Sequence, residues 1–192
     1  MIHLCSGIFR AFASWIYYRI GFVRALALGI QHVDWRARIN PRAFIKGVRA
    51  IGNVEIGRDV VIGEGSYVSS GVIQSGRIGR YCSIGPDVFI GPTEHRLDFW
   101  TTSPHEAQDQ GEKSEVTIRS VPPPVIGNGV WIGAKVVILR GITIGDRSVV
   151  AAGAVVNKSI PAGEIWGGVP AQKIRDIVDH SFKTTHTFSN EN

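Results

Sequence analysis

The stretch IGNGVWIGAKVVILRGITIGDRSVVAAGAVVNKSIP, residues 126–161, carries an aliphatic side chain at every sixth position. A glycine or another small residue usually follows, and a second set of mostly small or branched residues lies four places after each first one. A period of six fits neither the face of an α-helix nor a single strand. It predicts short flat strands joined by tight turns, three to a triangular coil, with the coils stacked on one another. The first set is Ile126, Ile132, Ile138, Ile144, Val150 and Val156, and the second is Val130, Val136, Ile142, Ser148, Ala154 and Ile160.

The same register recurs upstream, with a five-residue step near each join. Stacked coils place these side chains in a continuous aliphatic interior, so the expected fold class is all-β, a parallel β-helix of hexapeptide repeats. Cys82 occupies a small inward position of its hexad, which indicates a core residue rather than a nucleophile. The upstream positions are Ile39, Ile45, Ile51, Ile56, Ile62, Val68, Ile78, Ile84 and Ile90.

The repeat stops within IGPTEHRLDFWTTSPH, residues 90–105. Glu94 falls where a small inward side chain is required, and a carboxylate without a partner is too costly to bury there. The chain must therefore leave the coil, and residues 96–124 form a long excursion with few signs of regular structure. Loops of that length are usually functional or disordered. His95 stands at the root of this loop, either as a functional imidazole or as a solvated or structurally bonded side chain.

The N-terminal segment, residues 1–38, differs in character from the repeats. It holds five arginines against one acidic residue, Asp34, and therefore most of the formal charge of +5. No later segment presents a basic face, so we expect no nucleic-acid partner. Residues 7–30 are apolar, yet their arginines interrupt any membrane-spanning run, and their order is not that of a signal peptide. Two interpretations stay open: a helix packed on the protein or on a neighbouring subunit, and a peripheral membrane anchor.

The remaining composition indicates one folded domain. A chain of 192 residues that is 44% hydrophobic and 19% charged can close one core. Cys5 and Cys82 fit neither a disulfide framework nor a zinc site, so we expect a cytoplasmic protein without a metal. After Pro170 the apolar residues have helical spacing, which predicts a C-terminal helix and tail over residues 173–192 that packs on the coil domain, residues 39–172. These apolar residues are Ile174, Ile177, Val178 and Phe182.

The glycine-rich hexads, the excursion opening EHRLDFWTTSP, the re-entry VIGNGVWIGAKVV and the ending GGVPAQKI resemble the hexapeptide acyltransferases over about residues 39–175. Within them the chain is similar to the xenobiotic acetyltransferase branch, of streptogramin and chloramphenicol type, and its sugar or polysaccharide relatives. The resemblance implies a left-handed coil and a homotrimer that uses acetyl-CoA in clefts between the coils. It also implies that His95 is the general base of a direct transfer without an acyl-enzyme.

Other loop residues are candidates around His95. Glu94 and Asp98 would orient the imidazole, or would instead form loop salt bridges, for example to Arg96. Trp100 and His105 are candidates for binding the acceptor, with a solvated loop residue as the alternative for His105.

The cofactor candidates lie in the later hexads. Trp131 is at the sixth, outward place of its hexad, where an exposed aromatic ring calls for a partner: either the pantetheine arm of CoA or a neighbouring coil. Small residues leave room for the pantetheine, and two lysines are candidates for its phosphates, with ordinary solvated lysines as the alternative. These residues are Gly133, Ala134, Ala152, Gly153, Lys158 and Lys173.

The sequence leaves the acceptor open. The arginines and aromatic residues of 7–30 favour a glycan or cell-envelope precursor near the inner membrane surface, and antibiotic inactivation is the alternative. A carbonic anhydrase would need three histidines around zinc, whereas only His95 and His105 stand outside the terminal segments. A trimeric scaffold without catalysis is the remaining hypothesis, and CoA binding would separate it from an enzyme.

Overall fold

The computed structural model describes residues 2–177 as one helix followed by a coil of short strands. Helix α1 (Ile2–Ala27) comes first, and a short helix α2 (Pro104–Asp109) and a 3-10 turn (Ser114–Thr117) interrupt the coil. The strands are β1 (His32–Val33), β2 (Arg38–Ile39), β3 (Ala50–Ile56), β4 (Val61–Ile62), β5 (Tyr67–Ile73), β6 (Arg77–Ile78), β7 (Ser83–Ile84), β8 (Val88–Ile90), β9 (Val125–Ile126), β10 (Trp131–Ile132), β11 (Val137–Ile138), β12 (Thr143–Ile144), β13 (Val149–Val150), β14 (Val155–Val156), β15 (Glu164–Gly167) and β16 (Gln172–Asp176).

Parallel pairing arranges the strands in three faces. Face one is β1, β3, β5, β7, β10, β13 and β15, and face two is β2, β3, β5, β8, β11 and β14. Face three is β4, β6, β9 and β12. The seven-residue strands β3 and β5 belong to two faces because each runs around the corner between them. The five-residue steps from Ile51 to Ile56 and from Val68 to Ile73 lie inside these strands, which explains the slips in the repeat.

The predicted interior is confirmed. Every aliphatic position of the six-residue repeat that is named above is buried, and most of these side chains expose none of their surface. Two inward serines are also buried, and both are satisfied: Ser66 Oγ donates to Gly79 O at 2.8 Å and Ser148 Oγ to Pro161 O at 2.7 Å. Cys82 is buried as predicted, and this burial raises the pKa of its thiol.

Helix α1 closes the first end of the coil. Gly21 lies so close to the backbone of Ile39 that a methyl group would overlap it, and Ala25 is buried below. Arg24 Nη1 donates to Pro41 O and Ala43 O, each at 2.7 Å. A helix of 26 residues is about 39 Å long, so it exceeds one face of the coil, and residues 11–17 are exposed. In the part of the chain that the structure describes, no helix is both long and apolar enough to cross a bilayer.

The prediction of a helix from residue 173 is wrong for the described part of that segment. Gln172–Asp176 is strand β16, antiparallel to β15, and Ile174 is exposed. Pairing with β15 covers the backbone groups that would otherwise be open at the last sheet edge, and this outweighs the helical spacing of the apolar residues. Lys173 fixes the pairing by binding Glu164 and Asp176. Val178, Phe182 and the tail lie outside the described residues.

Candidate functional site

The excursion, called the arm from here on (residues 92–123), is held to the coil at both ends. It leaves after Gly91 at the corner between faces two and three, where Ser75 Oγ donates to Gly91 O at 2.8 Å. At its return, the N–H of Gly141 donates to Pro122 O at 2.8 Å. Arg140 joins the two ends, because its guanidinium donates to Val121 O at 3.0 Å and to Gly91 O at 3.4 Å. The root of the arm is therefore fixed.

His95 lies in a short antiparallel pairing just above the root. It stands opposite Ile118, and the flanking backbone bonds run from Arg96 N to Thr117 O at 2.8 Å and from Arg119 N to Glu94 O at 2.7 Å. We call residues 94–96 and 117–119 the clasp. Thr117, within the clasp, is buried. His95 is thus mounted on paired backbone rather than on a free loop.

The clasp opens into a cleft of about 690 Å³ that His95 lines. His95 and Arg119 are exposed there, so a substrate can reach the imidazole directly. An exposed imidazole on fixed backbone can act as a general base, given an acceptor and an electrophile beside it. The other lining residues are Glu94, Arg96, Leu97, Asp98, Ile118, Arg119 and Ser120.

For the two acidic neighbours of His95, the structure shows the loop salt bridges rather than the orienting role. Asp98 accepts two bonds from Arg96, at 2.8 and 3.0 Å, and these hold the pKa of its carboxyl below the ordinary value. Glu94 pairs with Arg119 at 3.2 Å across the clasp. Both carboxylates therefore stabilise the arm within this chain.

The two candidate acceptor residues stand apart from the cleft lining. The ring of Trp100 is exposed and lies 6.0 Å from that of Phe99. His105 is exposed in α2, whose N-cap Ser103 accepts from Glu106 N at 3.2 Å. The regular structure of α2 was missed, although Ser103, a following proline and Glu106 form the sequence signature of a helix start.

The cofactor candidates of the coil lie along another corner, between faces one and two. Gly133 is buried, and a Cβ there would lie 2.5 Å from Ala152 N, so this glycine serves coil stacking. Ala152 and Gly153 are exposed, and a Cβ at Gly153 would meet nothing within 4 Å. Ala134 is half-buried beside them. At this small-residue corner (133, 134, 152 and 153), Ala152 and Gly153 leave the backbone exposed.

The remaining candidates differ in their freedom. Trp131 is exposed on face one between Ser83 and Val149, as predicted for an outward aromatic residue. Lys158 is exposed. Lys173 binds Glu164 at 2.8 Å and Asp176 at 2.7 Å, and these carboxylates raise its pKa. Its charge is engaged within the chain, so Lys158 is the better candidate for a phosphate.

Sequence reasoning missed a polar groove of about 520 Å³ on the first coils. It lies at the same corner as the small residues, and Ser70 at its edge bonds the carboxylate of Asp87 at 3.0 Å. The sequence signal for this groove was the pair of polar residues Ser69 and Ser70 within β5. The groove is lined by His32, Asp34, Arg36, Ala50, Gly52, Asn53, Tyr67, Val68, Ser69 and Ser70.

Comparison with known proteins identifies the family to which the chain belongs. Residues 123–158 match the family model described as bacterial transferase hexapeptide (six repeats). The coil superposes on a hexapeptide-repeat acetyltransferase from Vibrio cholerae, solved with acetyl-CoA, with a TM-score of 0.55 and 30% identity over 77% of this chain and 72% of that one. The chain belongs to the hexapeptide-repeat acetyltransferases. The predicted fold, a left-handed parallel β-helix of hexapeptide repeats, is confirmed with it.

Curated relatives of this hexapeptide-repeat acetyltransferase have different acceptors in their names. The chain is 41% identical over 102 residues to a galactoside O-acetyltransferase of Escherichia coli, covering 53% of this chain and 44% of the relative. It is 36% identical over 108 residues to a chloramphenicol acetyltransferase of Agrobacterium fabrum, covering 53% and 52%. The chain thus spans about half the length of these relatives. The relatives include one named for a sugar acceptor and one named for an antibiotic acceptor.

Two groups of candidate residues, His95 and the small-residue corner, stand apart within one chain. His95 belongs to the corner between faces two and three, whereas Ala152 and Gly153 belong to the corner between faces one and two. Face two separates the two corners by the six residue steps from Gly133 to Leu139, roughly 20 Å at the rise of a strand. Within one chain, His95 and the small-residue corner are therefore not adjacent.

Proposed function

We propose that the protein transfers an acetyl group from acetyl-CoA to a hydroxyl or amine of an acceptor, with His95 as the general base. The observation that carries the proposal is an exposed imidazole on a fixed clasp, in a chain that belongs to the hexapeptide-repeat acetyltransferases. Acetyl-CoA in a related solved structure supports it as the co-substrate.

In the proposed step the imidazole takes the proton of the acceptor while the acceptor atom attacks the thioester carbonyl. The tetrahedral intermediate then collapses, the carbon–sulfur bond breaks, and the imidazolium returns the proton to the leaving thiolate. Imidazole suits both transfers near neutral pH. Because the acceptor attacks directly, no acyl-enzyme forms. Backbone N–H groups near the interface between subunits would stabilise the oxyanion.

The site is proposed to form between subunits of a homotrimer. The separation of the His95 arm from the small-residue corner supports this arrangement. So does an apolar column on the outside of face two, where Phe89 is 38% exposed and pairs in register with Val72 and Val137. Ala152 and Gly153 of one chain would take the pantetheine, with Lys158 available to the phosphates.

The proposed acceptor is a sugar or a surface-glycan precursor. The polar groove lies on the same corner as the proposed CoA track, and it offers hydroxyl, amide and charged groups beside Tyr67. Such groups suit a hydroxyl-rich ligand, because each sugar hydroxyl that leaves water needs a hydrogen-bond partner. Antibiotic acetylation is the second candidate, favoured by the chloramphenicol acetyltransferase relative. A cytoplasmic location remains a prediction.

The deciding experiment measures thiol release from acetyl-CoA with amino sugars, nucleotide sugars, oligosaccharides and antibiotics in parallel. His95→Ala should lower turnover about a hundredfold or more while sedimentation still reports a trimer. His105→Ala, an exposed histidine of the same arm, is the matched control and should keep wild-type turnover. Unchanged turnover in His95→Ala would remove His95 as the base, and a folded trimer that does not bind CoA would favour the scaffold hypothesis.

A further inference from the structure

Helix α1 presents a row of large apolar side chains to solvent. Six of them are between 41% and 60% exposed, and Trp35, whose carbonyl accepts a hydrogen bond from Arg19 of the helix, is also exposed. Their spacing of three and four residues places them along one side of the helix. The six are Phe12, Trp15, Ile16, Ile20, Val23 and Leu26.

The coil covers only the other side of the helix. Gly21 and Ala25 face the first coil, and the hydroxyl of Tyr18 reaches Glu55 at 3.5 Å. The helix is longer than a face of the coil, and residues 11–17, where its side chains begin to be described, are exposed. The apolar row is therefore left for an external partner.

The charges of the helix are all positive, and its described arginines are not neutralised. No aspartate or glutamate occurs before Asp34. Arg19 donates to the carbonyl of Trp35 at 2.7 Å and lies over the ring of Trp15. Arg24 donates only to carbonyls. Carbonyl partners are neutral, so the positive charge stays available, whereas Arg36 is paired with the carboxylate of Asp34.

We propose that α1 and Trp35 dock the first end of the coil on a lipid surface that carries anionic headgroups. The apolar row would enter the acyl boundary, the aromatic rings would lie at headgroup level, and the arginines would face the phosphates. A second copy is a poorer occupant, because it would bring the same uncompensated positive charges to the contact. The docking requires neither CoA nor acceptor, so it stands independently of the acetyl transfer.

Vesicle flotation tests the docking with the full chain. Wild type should float with phosphatidylcholine vesicles that contain phosphatidylglycerol, bind weakly to phosphatidylcholine alone, and be released by salt. Replacing Phe12 and Ile20 by serine should lower partitioning about a hundredfold, because two large apolar side chains no longer enter the bilayer. The matched control replaces Phe44 and Val125, which are 54% and 43% exposed on face three, and should bind as wild type does.

CoA binding and sedimentation accompany the flotation so that failure to dock is distinguished from loss of fold or assembly. The helix variant should keep the CoA affinity and the molar mass of wild type. Absence of wild-type flotation, or equal flotation of the helix variant, would overturn the proposal. A fall in molar mass of the helix variant, together with no flotation of wild type, would assign the apolar row to a second copy instead.

Discussion

The arm leaves the coil directly after Gly91. Replacing Gly91 with alanine tests how much the fixed root of the arm contributes to stability. Its φ of +67° is in the left-handed region, which costs an ordinary residue about 1–2 kcal/mol. A methyl group would also overlap the backbone oxygen and Oγ of Ser75 and lie 3.0 Å from Pro124 Cδ. Overpacking of this kind adds about 1–3 kcal/mol, so the total loss of stability should be about 2–5 kcal/mol.

Gly163 provides the matched control for this substitution. Its φ is +73°, but a Cβ there would meet nothing within 4 Å. Gly163→Ala should therefore lose only the about 1–2 kcal/mol of stability that the left-handed backbone conformation costs. Circular-dichroism melts would compare the two variants, and limited proteolysis would report release of the arm. We expect Gly91→Ala to melt lower and to be cut in the arm, with lower turnover because His95 moves. Equal melting temperatures and an intact arm in both variants would refute the argument.

Three further predictions concern single contacts. In a Cys5→Ser background, Cys82 should resist iodoacetamide until the protein unfolds, and fast labelling of native protein would contradict this. Because burial raises the pKa of the Cys82 thiol above the ordinary 9.0, the neutral thiol's contribution to folding stability is present below pH 9.0 and is lost as the pH rises through the raised pKa. Ser148→Ala should lower the unfolding free energy in urea by about 1–2 kcal/mol, because Pro161 O loses its buried donor; no change would show that water replaces the hydroxyl. Asp98→Asn should keep turnover within about threefold of wild type, since the exposed Asp98 binds Arg96 rather than His95; a loss as large as that of His95→Ala would restore its orienting role.

The interior of the coil could be predicted from the sequence because a period of six reports burial directly. The positions from Ile39 to Ile160 follow that period, and even the inward Ser148 and Cys82 are where it places them. Glu94 marked the departure of the arm for the same reason: a carboxylate does not fit the interior.

The site could be predicted only in part, since its contacts join distant residues. The residues next to Arg119 and Arg140 in the sequence do not indicate their partners. Arg119 binds Glu94, 25 residues away, and Arg140 binds Gly91 O, 49 residues away. The polar groove likewise gathers residues from three coils. The C-terminal helix was predicted from spacing alone, and the open edge of β15 decided otherwise.

The distance between the arm of one chain and its own small-residue corner has a genetic consequence in the proposed trimer. Each chain would lend its imidazole to one neighbour and its pantetheine track to the other. Co-expression of a His95→Ala chain with an Ala152→Trp chain, each inactive alone, should then recover activity, because every mixed assembly contains one seam in which both contributions are intact.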